Sequence, residues 1–160
     1  MSDVSEVHSA AARASSATKI YGKGDTLVTA LDSVDISFEA GKFSAIMGPS
    51  GSGKSTLMHC MAGLDNLSSG KVFIGDTDLT ELTEKELTLL RRSNIGFIFQ
   101  SFNLVPTLNA LENITLPIDL SGNKVDTDWV GQITEVVNLS DRLNHKPNEL
   151  SGGQQQRVAV

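Results

Sequence analysis

The stretch Gly48-Pro49-Ser50-Gly51-Ser52-Gly53-Lys54-Ser55 fits the spacing G-x-x-x-x-G-K-[ST]. An apolar run, residues 43–47, precedes it, and Leu57, Met58, Met61 and Leu64 recur behind it near helical spacing. Strand, tight glycine loop and helix in that order constrain the chain to an α/β fold, and they give the loop a chemistry. Gly48, Gly51 and Gly53 let the backbone wrap a phosphate with its N–H groups turned inward. A helix starting near Lys54 adds free N–H groups and the positive end of its dipole. Lys54 brings a mobile charge to β- and γ-phosphates, the Ser55 hydroxyl can ligate Mg²⁺, and Thr56 adds a contact near the α-phosphate. The bland alternative is a glycine-rich turn that only connects strand to helix. The loop by itself leaves kinases, GTPases, helicases and transport ATPases open.

Composition narrows the partners. With 13 basic and 19 acidic residues among 160, the formal net charge is -6, which disfavours nucleic-acid binding across a basic face. Local contacts from backbone N–H groups and one lysine still suit a polyphosphate. The single cysteine, Cys60, excludes an internal disulfide framework and a cysteine-rich zinc site; it reads as a small apolar residue in a helix. No apolar run approaches the roughly 20 residues that span a bilayer. Residues 1–18 are rich in Ala and Ser, carry Asp3 and Glu6, and hold no apolar signal core, so they are expected to be a disordered tail on a cytosolic protein.

Further along, Leu31, Val34, Ile36 and Phe38 partly alternate with polar residues, as in a half-buried strand. Residues 43–47 are expected to be a strand feeding the loop, 71–74 a short strand, and 95–99 a strand ending at Gln100. Thr83 followed by Glu86 forms a capping-box pattern for a helix ending near Arg91 and Arg92. Pro106 and Thr107 suggest a helix start running to Glu112, with Pro117 breaking or kinking that helix. Asp126 caps a helix whose apolar side is Trp129, Val130, Ile133, Val136 and Val137.

A second motif, Leu150-Ser151-Gly152-Gly153-Gln154-Gln155-Gln156-Arg157, has the local physics of a helix N-terminus. Ser151 caps, Gln154 closes a capping box, and Gly152 and Gly153 permit close backbone approach, making a second anion site. Taken alone it is an ordinary Ser-capped helix start. Together with the loop, in this order, it resembles the signature of ABC-transporter ATPases. The resemblance covers about residues 18–160. It implies that Tyr21 stacks on adenine, although a lone tyrosine is also an ordinary amphipathic surface residue. It implies that Gln100 contacts Mg²⁺ or the attacking water. It implies that Ser151, Gly152, Gly153 and Gln154 meet the γ-phosphate of ATP held by the other subunit of a homodimer. Residues 47–58, the run from Gly96 to Leu104, and Leu111-Glu112-Asn113 are similar to the macrolide-export and lipoprotein-release branch.

The implied organisation is a tail (1–18), an ATP-binding core with an antiparallel β part (19–100), a helical subdomain (101–150), and the signature with the start of a helix (151–160). The implied fold is an incomplete P-loop NTPase of ABC type. The family carries, after the signature, an apolar strand ending in Asp-Glu and later a histidine. His8, His59 and His145 do not occupy that place, and no such strand comes after Gln154 in these residues. The reading is therefore a truncated chain that binds ATP and hydrolyses it poorly, with exposed sheet surface favouring aggregation. Three functions stay open. One is the ATPase subunit of an exporter, on the cytoplasmic side of the membrane with a separate permease. The others are a non-catalytic nucleotide-binding module, and an ABC ATPase of a non-transport complex such as a cell-division tether.

Overall fold

A computed structural model describes residues 10–160, and they divide into two compact units that meet in sequence at Arg91 and Arg92. In the first unit, β1 (Ala10–Tyr21), β2 (Val28–Glu39), β3 (Ser69–Ile74) and β4 (Thr77–Asp78) form a four-stranded antiparallel sheet in the order β2-β1-β3-β4. Helix α1 (Lys54–Met61) packs on β1, β2 and β3. The alternation read in β2 orients it: Leu31 is buried, and Val34, Ile36 and Phe38 pack against the same core. Ser33, at φ 50°, absorbs the break in that alternation between Leu31 and Val34.

Strand β1 begins at Ala10, inside the stretch expected to be a tail; residues 1–9 of that stretch lie outside the described residues. The Ala- and Ser-rich composition has a packing reason instead. Ala14 and Ala17 are buried against Leu57, Cys60 and Met61, where larger side chains would hold α1 off the sheet. Cys60 is buried as expected, and burial pushes its thiol pKa up.

Loop 65–68, which leaves α1, is stitched to the end of β1. Lys19 Nζ donates to Asp65 Oδ1 at 2.5 Å and to the Asn66 carbonyl at 2.6 Å. Tyr21 donates its phenolic proton to Asp65 Oδ2 at 2.6 Å. Two bonds involving Ser68 continue the seam, its N–H to Thr18 O at 2.8 Å and the Ile20 N–H to its Oγ at 2.9 Å.

Two expected strands are not ladders. Residues 43–47 and 95–99 pair with no strand among the described residues, and Phe43 and Met47 are 99% and 88% exposed. An apolar run signals burial, but a strand also needs a neighbour whose backbone completes its hydrogen bonds. The two units divide at Arg91 and Arg92. That point lies within α2 (Glu84–Asn94), which is capped by Thr83, whose N–H donates to Glu86 Oε2 at 2.8 Å.

The second unit is helical: α3 (Ala110–Ser121), α4 (Thr127–Val136) and α5 (Gly152–Ala159). Its core is Ala110, Leu139, Leu150 and Val158, packed by Leu104, Ile114 and Val137. Helix α3 starts at an Asn109–Glu112 capping box rather than at Pro106, and it runs through Pro117 to Gly122, whose φ of 73° ends it. A proline removes one helical N–H donor without obliging the helix to stop. The side chain of Asn113 explains where α3 begins. Its Oδ1 accepts from Val105 N–H at 2.7 Å, while Nδ2 donates to the carbonyls of Val105, Leu108 and Asn109 at 3.2, 3.2 and 2.9 Å. That folds residues 105–109 into a loop. Helix α4 is capped by Asp126 as expected. It buries Val130 and Thr134, though, and leaves Trp129, Ile133 and Val136 exposed.

Asn113→Ala leaves one backbone donor and several carbonyls of the loop without their partner. It is expected to destabilise the helical unit by about 2–3 kcal/mol in denaturant unfolding. The seam at Asp65 responds to pH. The hydrogen bonds from Lys19 and Tyr21 hold the Asp65 carboxyl below its ordinary 3.8, and the hydrogen bond to Asp65 raises Lys19 above 10.5. Asp65, being depressed, contributes stability above its ordinary value and loses it as pH falls through the folded value. Lys19, being raised, contributes below its ordinary value and loses it as pH rises through the folded one. Asp65→Asn is therefore expected to cost about 1 kcal/mol at neutral pH, a gap that narrows in melts recorded at successively lower pH below the ordinary 3.8 of the carboxyl.

Candidate functional site

The candidate site in the first unit is the loop of residues 48–56 at the head of α1. Gly53 is the N-cap of α1 with φ 83°, and a Cβ there would stand 2.4 Å from the Ala30 carbonyl oxygen. Glycine is thus required twice over, for the left-handed backbone and for the close pass of β2. The loop closes with the Ser52 N–H donating to Pro49 O at 3.3 Å and the Leu57 N–H to Gly53 O at 2.8 Å. Lys54 folds back over it. Its ammonium donates to Gly48 O at 2.9 Å, Pro49 O at 2.6 Å and Ser52 Oγ at 3.3 Å.

This arrangement suits a polyphosphate. Side-chain space at Gly51 is open, Ser50, Gly51 and Ser52 are exposed, and the N-terminus of α1 points its unpaired N–H groups into the loop. A cation already sits where the anion would draw one. Mg²⁺ is a narrower case. Ser55, in the first turn of α1, is exposed and offers one hydroxyl, and among the described residues no group of three His, Cys, Asp or Glu side chains converges to hold a metal. The chain accordingly fits Mg²⁺ only where phosphate oxygens and water supply the remaining ligands.

Tyr21 belongs to the same neighbourhood. It ends β1 just before a tight turn in which Gly22 has φ 81° and a Cβ would lie 2.2 Å from Thr26 O. Its phenol is held by Asp65, and that hydrogen bond together with burial raises its pKa, against a smaller opposing effect of the Thr56 hydroxyl. Tyr21 is 40% exposed, and the Lys19 ammonium lies 4.8 Å from its ring centroid. Lys19 and Asp65 were not among the residues singled out from sequence. Asp65 lies 44 positions from its tyrosine partner, and no local pattern marks the pair.

The other expected residues lie in the second unit. Ser151 is the N-cap of α5, with its N–H donating to Gln154 Oε1 at 2.8 Å and its Oγ accepting from the Gln154 N–H at 3.3 Å. The capping box read from the sequence is there, with Gly152 and Gly153 exposed in the first turn. Gln155, which sequence reasoning passed over, fixes the approach: its Nε2 donates to Pro147 O at 2.8 Å and Leu150 O at 3.1 Å. Gln100 is exposed in a turn closed by the Phe102 N–H donating to Phe99 O at 2.9 Å, and Phe102 and Asn103 take φ of 62° and 49°.

Comparison with known proteins shows the family. The family described as ABC transporter matches residues 31–160. A macrolide export ATP-binding/permease protein, MacB, of Bdellovibrio bacteriovorus is 47% identical over 142 residues, covering 89% of this chain and 22% of that protein. The uncharacterised ABC transporter ATP-binding protein MJ1508 of Methanocaldococcus jannaschii is 46% identical over 144 residues, covering 89% of this chain and 64% of that one. A dimeric, post-hydrolysis structure of the ATP-binding cassette MJ0796, bound to ADP and Pi, superposes with a TM-score of 0.84 at 42% identity, over 92% of this chain and 66% of that one. MJ0796 is also from Methanocaldococcus jannaschii. The chain thus spans less than two thirds of the length of these curated relatives, 22% of one and 64% of the other. Matched over most of its own length by family, by relatives and by fold, the chain belongs to the ABC transporter family as an ATP-binding domain.

Proposed function

We propose that this chain binds ATP as the nucleotide-binding part of an ABC-type membrane exporter, coupling nucleotide binding and hydrolysis to transport through a separate permease. The observation that carries the reading is the loop at residues 48–56, closed over its own lysine at the head of α1. On binding, Lys54 leaves the carbonyls of Gly48 and Pro49 for the β- and γ-phosphates, and the loop N–H groups take the oxygens that water held before. Mg²⁺, when bound, would be held by the Ser55 hydroxyl together with phosphate oxygens and water, and would neutralise phosphate charge; Gln100 is kept as a separate proposed contact to Mg²⁺ or the attacking water. Tyr21 offers its exposed ring face to adenine.

The signature residues Ser151, Gly152, Gly153 and Gln154 would complete the site of a second subunit. The capped start of α5 offers the γ-phosphate free N–H groups, and the glycines allow a neighbouring loop to approach. Family membership supports this homodimeric reading. Among the described residues no helix is long and apolar enough to cross a membrane, which suits a peripheral place beside a permease. The net charge of -6 favours no role on nucleic acid.

A second reading is a nucleotide-binding module without turnover. It concerns these 160 residues taken by themselves, which hold no apolar strand ending in Asp-Glu to orient the attacking water. The 160 residues on their own are thus proposed to hold ATP and turn it over slowly.

Lys54→Ala removes a charge-assisted bond and is expected to raise the ATP Kd by about ten- to a hundredfold in calorimetry. Unchanged affinity in that variant would sink the assignment of the loop. Turnover measured beside a version extended to the length of the relatives separates the two readings: brisk hydrolysis by the 160-residue chain eliminates the module. In the extended version, Gly153→Asp sets a carboxylate against the incoming phosphate and is expected to abolish ATP-dependent dimerisation in light scattering. A dimer that persists with that carboxylate in place removes the signature from the composite site.

A further inference from the structure

We propose that Asp65 is a positioning residue for nucleotide, acting through Tyr21 and setting how the loop discriminates an adenine nucleotide from bare polyphosphate. The inference rests on the reading that Tyr21 faces adenine, and it adds what makes the ring a fit surface. A tyrosine at a strand end, 40% exposed, has two freely turning side-chain angles unless something holds its far end. Here the far end is held. The phenol donates to Asp65 Oδ2 at 2.6 Å, and Asp65 Oδ1 accepts from Lys19 Nζ at 2.5 Å. Lys19 is in turn anchored on the Asn66 carbonyl at 2.6 Å, and its ammonium stands 4.8 Å from the centre of the Tyr21 ring. The carboxylate is thus bonded through both oxygens, one to the ring and one to the cation beside it.

The geometry ties the ring to the phosphate loop as well. Asp65 lies just beyond α1, with the Asp65 and Leu64 N–H groups closing on His59 O at 3.3 and 2.8 Å. The same eight-residue helix begins at Lys54. One rigid element therefore carries the phosphate loop at its first turn and, just past its last, the carboxylate that aims the aromatic ring. With the ring fixed beforehand, stacking costs less side-chain entropy, and the benefit falls on ligands that carry a base.

The test compares ATP with inorganic tripolyphosphate, which has no base, by calorimetry on the chain and on Tyr21→Phe, Asp65→Ala, their double variant and Tyr21→Ala. Tyr21→Phe removes only an exposed hydroxyl, so it probes the link without threatening the fold. Tyr21→Phe and Asp65→Ala are each expected to raise the ATP Kd about three- to tenfold and to leave tripolyphosphate affinity where it was. The double variant should be no weaker than the weaker single one, because both break the same link. The proposal is overturned if Asp65→Ala weakens both ligands alike, since the effect would then lie on the loop. Losses that multiply in the double variant overturn it too. If Tyr21→Ala weakens ATP while Tyr21→Phe and Asp65→Ala do not, stacking stands and positioning falls. If Tyr21→Ala leaves ATP affinity unchanged, the adenine reading falls and takes this one with it.

Discussion

Helix α1 and the small residues beneath it are the constraint on which the first unit depends. Ala14 and Ala17 in β1 let Leu57, Cys60 and Met61 settle onto the sheet, and that seating fixes both ends of the helix at once. At one end the backbone must pass Ala30 so closely that Gly53 has no substitute. At the other, the chain turns at Gly63 and is sewn to β1 by Lys19, Asp65 and Ser68. A larger residue at 14 or 17 would act at a distance. Lifting α1 would loosen the loop, the carboxylate and the tyrosine together, because all three take their positions from the same short helix.

How far this was legible depends on how local each cause is. The loop was readable because phosphate chemistry demands glycine, lysine and a hydroxyl at fixed spacing, and flanking apolar residues announce strand and helix. Capping boxes at Thr83 and Ser151 and the cap at Asp126 were readable for the same reason: donor and acceptor sit three residues apart. Long-range causes were not. The alanines of β1 look like tail composition until a helix is laid over them. The bond between Tyr21 and Asp65 exists only because β1 and β3 pair in register, with Thr18 opposite Ser69. Residues 43–47 failed for the converse reason: an apolar run reports a wish for burial and says nothing about the strand that must lie beside it.

The second unit shows a local motif serving two ends. Leu111-Glu112-Asn113 resembles a mark of the family branch, and it also has a structural task. Glu112 closes the capping box on Asn109, and Asn113 gathers four bonds from the loop before it. Pro106 looked like a helix start because proline favours a first turn, but the amide of Asn113 claims the backbone of 105–109 and moves the start to Ala110. Once that cap is set, Pro117 costs α3 one donor and does not end it.

The two features proposed to bind anions differ in what holds them, and that difference bears on how a shared site would work. The loop at residues 48–56 is satisfied internally by a cation, so an incoming phosphate would exchange one set of oxygens on Lys54 for another. The start of α5 is satisfied by its own serine and glutamine, which take up N–H groups without bringing charge. A phosphate arriving there gains dipole and backbone donors but no counter-ion from the cap. It would be bound firmly only when a charged loop presents it. Electrostatics would then set the order of events in a composite site: nucleotide seats first on the lysine-bearing loop, and the signature closes on it afterwards.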